Sequence, residues 1–304
     1  MSNKKSLMLL VGDNPFHGIS HLSQERSKSR NKTIGTVDYA ANIVAISLEN
    51  GANGFMFSVS ETTLSILRKL LKNGKYSDIK LYAIVPYAYE YVRLATQVGG
   101  ISALGIRLGK NVLLSRDLRA MAMGLRAIIS MNPEAIMKAY LFYEISRIKS
   151  AVGKTTNLES VVLHEIITEI ALAFNLDWFF KSYIKFLRKL GITPGFETRN
   201  FAYLVHKFKN WDIGFNDICL VTAFNKVGFQ MNPSKIACEQ ALLDVSESNV
   251  IAMSILASGY LQPFEAIEYI RDLPNLSGVV VGVSKESQAK QTFQLLRNQL
   301  IAIE

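Results

Sequence analysis

The segment Val161-Val162-Leu163-His164-Glu165 is an apolar, largely β-branched run that ends on a histidine and an acid. A short run of this kind predicts a buried strand. In β/α barrels the catalytic groups lie at the carboxyl ends of such strands. A histidine at a strand end can equally be a structural residue, so the rest of the chain has to decide between a functional and a structural His164.

On both sides of this segment, short apolar strands alternate with amphipathic helices. The predicted strands cover residues 7–11, 54–57, 79–85, 161–163, 193–197, 218–222, 250–253 and 278–281. Predicted helices cover 36–49, 61–71, 177–190, 201–208, 234–243, 263–271 and 285–296. Eight parallel β/α units predict one α/β domain over residues 1–304, a (β/α)8 TIM barrel. An open doubly wound sheet is the alternative, although no glycine-rich dinucleotide turn follows the first strand.

The regular alternation is interrupted between strands three and four. Residues 112–155 predict a helical insertion with two helices, 116–129 and 133–152, the second capped by Asn132 and opened by Pro133. Such a pair could be a lid, a brace or a contact surface in a homo-oligomer.

Composition excludes several classes of protein. The 304 residues carry a net charge of +9, but the lysines and arginines are scattered and no basic–aromatic run predicts a nucleic-acid groove. No apolar stretch reaches membrane-spanning length, and two cysteines do not make a disulfide framework. We therefore expect a cytoplasmic protein that acts on a small molecule, with neither a nucleic-acid partner nor a membrane partner.

Polar residues gather where the predicted strands end. The candidates for acid/base chemistry are His164, Asp13, His17 and Glu197. The same residue types could bind a metal, but no HxH or HExxH spacing is present, so we predict no metal site. Asp13 could alternatively form only an Asx turn before Pro15.

The last unit predicts a phosphate site. In Val281-Gly282-Val283-Ser284-Lys285 a buried strand passes directly into a helix. Gly282 permits close approach, and the free N–H groups of the helix favour an anion. The alternative is an ordinary helix cap by Ser284.

The second half of the chain resembles the aldo-keto reductases, which are β/α barrels that use NADPH. The segments that carry this resemblance are Val161-Val162-Leu163-His164, Leu187-Arg188-Lys189-Leu190-Gly191, Gly195-Phe196-Glu197-Thr198-Arg199-Asn200, Phe224-Asn225, Leu256-Ala257-Ser258-Gly259-Tyr260-Leu261 and Val280-Val281-Gly282-Val283-Ser284. The resemblance implies a catalytic His164 and a cofactor site with NADPH as its ligand. Its implied cofactor residues are Thr198, Asn200, Asn225, Ser254, Gly282 and Ser284.

The first half departs from this family. Residues 55–61 lack the family's aspartate and tyrosine, and the third strand ends in Val85-Pro86-Tyr87 without its lysine. Ser287 and Gln291 stand where the family has arginine and asparagine for the adenosine phosphate.

Three hypotheses follow. The chain is an enzyme with rebuilt chemistry around His164, acting on a small molecule that could be phosphorylated. Alternatively it is a nicotinamide oxidoreductase with a displaced proton donor such as Tyr87, or a non-catalytic barrel that serves as a binding or scaffold protein.

Overall fold

The structure is a computed structural model that describes residues 7–17, 36–87, 132–153 and 157–301. Its strands are β1 Met8–Gly12, β2 Gly54–Ser58, β3 Lys80–Val85, β4 Asn157–Leu163, β5 Thr193–Thr198, β6 Cys219–Ala223, β7 Asn249–Met253 and β8 Leu276–Gly282. All eight are parallel and pair in chain order, and β1 also pairs with β8 from Met8↔Gly278 to Gly12↔Gly282. The sheet therefore closes into the predicted barrel, and the open doubly wound alternative is excluded.

The strands are apolar on both faces because both faces are covered. Side chains that point into the barrel form one cluster: Leu10, Met56, Tyr82, Ile84, Val162, Cys219, Val221 and Ile251. Alternate residues such as Leu9, Val11, Phe55 and Phe57 point outward and pack under the helices. This period of two divides each strand between an inner and an outer core.

The helices surround the barrel. They are α1 Val37–Glu49, α2 Glu61–Leu71, α3 Pro133–Val152, α4 Glu165–Ala173, α5 Asp177–Lys189, α6 Phe201–Asn210, α7 Lys235–Leu243, α8 Pro263–Asp272 and α9 Glu286–Leu300. Short 3-10 turns cover Asn14–His17 and Ala257–Gly259. No helix in the described ranges is both long and apolar enough to cross a membrane.

Helix α3 is the second of the two helices predicted between strands three and four. The Asn132 side chain accepts a hydrogen bond from the Glu134 N–H at 2.9 Å, and Pro133 opens the helix, as predicted. The helix packs between α2 and α5, so it fills the third position in the ring. The other predicted helix, 116–129, lies outside the described residues, and an oligomer surface on the insertion stays a prediction.

Helix α4 was not predicted. It begins directly after His164 and contains Ile166, Ile170 and Ala171, with no continuous polar face. Because Ile166 and Ile170 are exposed while Ala171 is buried, apolar residues occupy both sides of the helix. The amphipathic pattern that reveals a helix in sequence is therefore absent.

Candidate functional site

A cavity of about 720 Å³ opens at the carboxyl ends of the strands. The bottom of the cavity is formed by apolar side chains of the inner core: Met56, Ile84, Val221, Met253 and Val280. Its polar lining includes Asp13, His164, Glu165, Glu197 and Arg199. The volume lies in the range of small-molecule sites, and this end of the barrel is where the active sites of such folds lie.

Asp13 follows β1 and is almost fully buried, with 3% of its surface exposed. Its Oδ2 accepts a hydrogen bond from the Ser58 N–H at 2.7 Å, which ties the end of β1 to the end of β2. The same oxygen lies 2.9 Å from His17 Nε2. Asp13 therefore both joins two strands and lines the cavity.

His17 does not line this cavity. Its Nε2 lies between Asp13 Oδ2 and Thr63 Oγ1, the latter at 3.4 Å, and its ring packs on Tyr87 with 4.7 Å between centroids. In this position His17 orients the Asp13 carboxylate. Tyr87, the candidate for a displaced proton donor, packs against His17 and is likewise not part of the cavity lining.

His164 links β4 to α4 and lines the cavity. Its backbone N–H donates to the Val85 carbonyl at 2.8 Å, and its Nδ1 accepts from the Ile166 N–H at 3.2 Å. Since Nδ1 is an acceptor, the neutral ring carries its proton on Nε2. Burial, reinforced by the positive charge of Arg199, lowers the pKa of His164 to about 4, so the ring is neutral at pH 7.

Glu197 lies near the end of β5. Although it keeps some surface exposed to the cavity, protein surrounds its other sides, and this burial raises the pKa of Glu197 to about 8. The nearby Glu165 carboxylate acts in the same direction, while a hydrogen bond from the Glu165 N–H at 3.3 Å opposes it. At pH 7 Glu197 is therefore mostly a neutral acid.

Glu165 and Arg199 form a bidentate ion pair at the cavity wall, with both N···O distances at 2.7 Å. Arg199 was not among the site residues predicted from the sequence. It pairs with Glu165 because the N-terminus of α4 lies beside the end of β5, and α4 was not predicted.

Thr198 and Asn200, two of the predicted cofactor residues, do not line the cavity. The Thr198 hydroxyl donates to Glu169 Oε1 and the Asn200 side-chain amide donates to Glu169 Oε2, both at 2.6 Å. The backbone N–H groups of Arg199 and Asn200 also donate to Glu169 Oε1, at 3.0 and 3.3 Å. Glu169 of α4 thus engages two side chains that the family resemblance assigned to the cofactor.

Asn225 is also turned away from the cavity. It is fully buried, its side-chain amide donates to the Phe229 carbonyl at 2.8 Å, and its Oδ1 accepts from the Phe229 N–H at 2.8 Å. Ser254 does line the cavity, and its hydroxyl donates to Gln230 Oε1 at 3.3 Å. Both Ser254 and Gln230 have positive φ angles, 54° and 59°. Non-glycine residues rarely adopt this conformation, and it concentrates at functional sites.

The loop after β8 lines one side of the cavity. Gly282 lies against Pro15, since a Cβ on Gly282 would be 3.0 Å from the proline ring. Ser284 does not cap α9, because the N-cap position belongs to Lys285, whose side chain makes no capping bond. The Ser284 hydroxyl instead donates to Gln288 Oε1 at 3.3 Å, and its carbonyl accepts from the Tyr39 hydroxyl at 3.3 Å.

Within the described ranges, histidine, cysteine, aspartate and glutamate side chains form no group of three or more that could hold a metal ion. For NADPH, the described residues fit poorly. Arg199, the basic side chain of the described lining, is paired with Glu165, and three of the predicted cofactor residues are turned away from the cavity.

No protein-family model matches this chain, and no curated protein matches it significantly in sequence. Among solved structures, a provisional aldo-keto reductase from Pseudomonas aeruginosa is similar with a TM-score of 0.60 and 13% identity, covering 97% of this chain and 92% of that one. A glycerol dehydrogenase from Gluconobacter oxydans is similar with a TM-score of 0.53 and 9% identity, covering 100% and 98%. The expected structural resemblance to aldo-keto reductases is therefore confirmed, and at these identities it is a likeness of fold.

Proposed function

We propose that this chain is an enzyme that binds a small molecule in the cavity and uses His164 as an acid/base group, with Glu197 and Asp13 beside it. The observation that carries the proposal is a buried, oriented imidazole and a carboxylic acid that accepts a hydrogen bond from the N–H of the next residue, Glu165, with both side chains lining one cavity at the carboxyl end of a barrel. The likeness of fold to an aldo-keto reductase structure and a glycerol dehydrogenase structure supports an enzyme, although a fold alone does not determine a reaction.

The two groups have complementary proton states. His164 is neutral at pH 7 and, with Nδ1 engaged by the Ile166 N–H, carries its ring proton on Nε2, the nitrogen that would exchange a proton with a substrate in this proposal. Glu197 has a pKa of about 8, close to the working pH, which suits a group that delivers and takes back a proton. Environments that separate the pKa values of neighbouring groups are typical of acid/base sites.

Asp13 has a supporting part in this proposal. The Asp13 carboxyl group interacts electrostatically with His164 and acts to raise its pKa, against the larger lowering caused by burial and Arg199. Hydrogen bonds from Ser58 and His17 hold it in place. We do not propose hydride transfer. Thr198 and Asn200, which the family resemblance assigned to a nicotinamide cofactor, donate their hydrogen bonds to Glu169 instead.

The test is a turnover screen in which the substrate need not be chosen in advance. Wild-type protein and the His164→Ala variant are incubated with a small-molecule extract, and mass spectrometry identifies compounds that the wild type consumes. We expect the variant to be slower by roughly 10²–10⁴-fold, the usual contribution of a positioned acid/base group. His206→Ala is the matched control, because His206 is an exposed histidine on α6, remote from the cavity lining.

Equal turnover by wild type and His164→Ala would remove His164 from the chemistry. A wild type that consumes nothing under any condition tested would favour the alternative, a non-catalytic barrel that serves as a binding or scaffold protein.

A further inference from the structure

The cavity lining is acidic although the whole chain is basic. The chain has a net charge of +9, yet the charged side chains of the described lining are Asp13, Glu165, Glu197 and one arginine, Arg199. Arg199 is bound in both of its contacts to Glu165. Asp13 Oδ2 in turn lies 2.9 Å from His17 Nε2, so the described lining offers a ligand three carboxyl groups and no lysine or arginine that is not already paired.

On the side formed by the β8–α9 loop and α9, the described cavity lining includes no lysine or arginine, because Lys285 lies in this loop but not in the lining. Its lining is made of Gly282, Val283, Ser284, Gln288, Gln291, Thr292 and Leu295. The first turn of α9 also carries an acid, Glu286, which accepts a hydrogen bond from the Asn42 amide at 2.7 Å. A phosphate there would meet the helix N-terminus but no lysine or arginine of the described lining, and the two charged residues at the helix start, Lys285 and Glu286, lie outside that lining and have opposite signs.

The remaining polar groups of the lining are neutral and hydrogen-bonding. They are Asn14, Ser58, Gln230, Ser254, Ser258, Gln262, Ser284, Gln288, Gln291 and Thr292. Amides and hydroxyls both donate and accept, as the hydroxyl groups of a ligand do. Such groups recognise a polar ligand without needing to neutralise a charge.

We propose that this cavity takes an uncharged, hydroxyl-bearing ligand, such as a polyol or a sugar without phosphate, and is not a site for dinucleotide phosphates. The proposal rests on the proposed function only in treating that ligand as the substrate. An uncharged ligand is proposed here in place of the phosphate that the sequence predicts at Gly282 and Ser284. The volume of about 720 Å³ accommodates a molecule of this size.

Matched ligand pairs test the proposal by calorimetry. The pairs are glycerol and glycerol 3-phosphate, D-ribose and D-ribose 5-phosphate, and D-glucose and D-glucose 6-phosphate, which differ only in the phosphate. We expect saturable binding of at least one neutral member, with its phosphorylated partner weaker by roughly tenfold or more, because the phosphate would lose hydration without meeting an unpaired lysine or arginine of the described lining. NADPH and NADH, followed by cofactor fluorescence, should give no saturable change up to about 1 mM, the upper end of usual KM values.

A charge-adding variant makes the test independent of any one ligand. Gln291→Arg places a cation on the lining, while Gln299→Arg adds the same charge to an exposed position of the same helix outside the lining. We expect Gln291→Arg to strengthen binding of the phosphorylated partners by about tenfold or more, and Gln299→Arg to leave it unchanged within about twofold.

Tighter binding of a phosphorylated partner, NADPH or NADH than of the neutral sugars would overturn the proposal, as would failure of every neutral ligand to bind. Each binding measurement is repeated with His164→Ala. Selective binding of neutral ligands, together with turnover that does not depend on His164, would support this ligand class while rejecting the proposed acid/base role.

Discussion

Removing the Glu169 carboxylate is the sharpest test of how the site is held together. Glu169 accepts four hydrogen bonds, two from side chains at 2.6 Å and two from backbone N–H groups at 3.0 and 3.3 Å. The backbone donors belong to Arg199 and Asn200, which immediately precede α6. The carboxylate therefore joins α4 to the start of α6, where the Asn200 side chain makes no capping bond.

The expected cost of Glu169→Ala follows from these contacts. The Thr198 hydroxyl is fully buried, and a buried donor without an acceptor costs about 1–3 kcal/mol. Loss of a helix-capping acceptor costs about 1 kcal/mol more. Because Glu169 is partly exposed, water can replace some of the lost bonds, so we expect a total loss of about 2–4 kcal/mol in the free energy of unfolding.

Urea denaturation followed by circular dichroism measures this loss. Glu268→Ala is the control, since Glu268 is an exposed glutamate on α8, and its effect should stay within about 0.5 kcal/mol. Glu169→Gln should fall between the two, because it keeps one oxygen acceptor but turns an NH2 group toward the bonding partners. A Glu169→Ala variant as stable as the Glu268→Ala control would refute the assigned role of the carboxylate.

Two further predictions concern the barrel. The pKa of Glu197 is raised from 4.5 to about 8 in the folded chain, so the native state holds a proton that the unfolded state releases, and the contribution of Glu197 to stability should fall as pH rises from about 4.5 to 8. The lowered pKa of His164 acts in the opposite direction between about 4 and 6.5, so the contribution of Glu197 is measured as the difference from Glu197→Gln. Glu197→Gln should remove this fall, and parallel denaturation series for the two proteins with the same pH slope would contradict it. Gly195→Ala should cost about 1–3 kcal/mol, because the new Cβ would lie 2.7 Å from Val162 Cγ2 and 2.9 Å from Ser160 Oγ. Gly214→Ala, where a Cβ meets nothing within 4 Å, is its control and should be close to neutral in the same urea assay.

The barrel was predictable because its signals are local. Most strands contain a short run of apolar residues buried on both faces, and the predicted strands overlap the observed ones in all eight cases. Most helices have one buried face, and caps such as Asn132 before Pro133 mark their starts. Helix α4 escaped prediction because its solvent-facing residues are as apolar as its buried ones.

The site was predictable only in part. Of the predicted site residues, those that line the cavity are Asp13, His164, Glu197, Ser254, Gly282 and Ser284. Position at a strand end and the family resemblance also selected His17, Thr198, Asn200 and Asn225, which do not line it. A position at a strand end indicates that a residue lies near the cavity. Whether its side chain points into the cavity depends on its hydrogen-bond partners.

Sequence alone therefore determined the number of β/α units, their order and the end of the barrel that carries polar groups, because these depend on periodicity within short segments. Tertiary structure decided which of those groups meet. The pairing of Arg199 with Glu165, the engagement of Asn200 by Glu169 and the burial that separates the pKa values of His164 and Glu197 all depend on α4 folding over the end of β5. Such contacts join residues about thirty positions apart, and the parallel pairing of β4 with β5, which no short segment encodes by itself, brings them together.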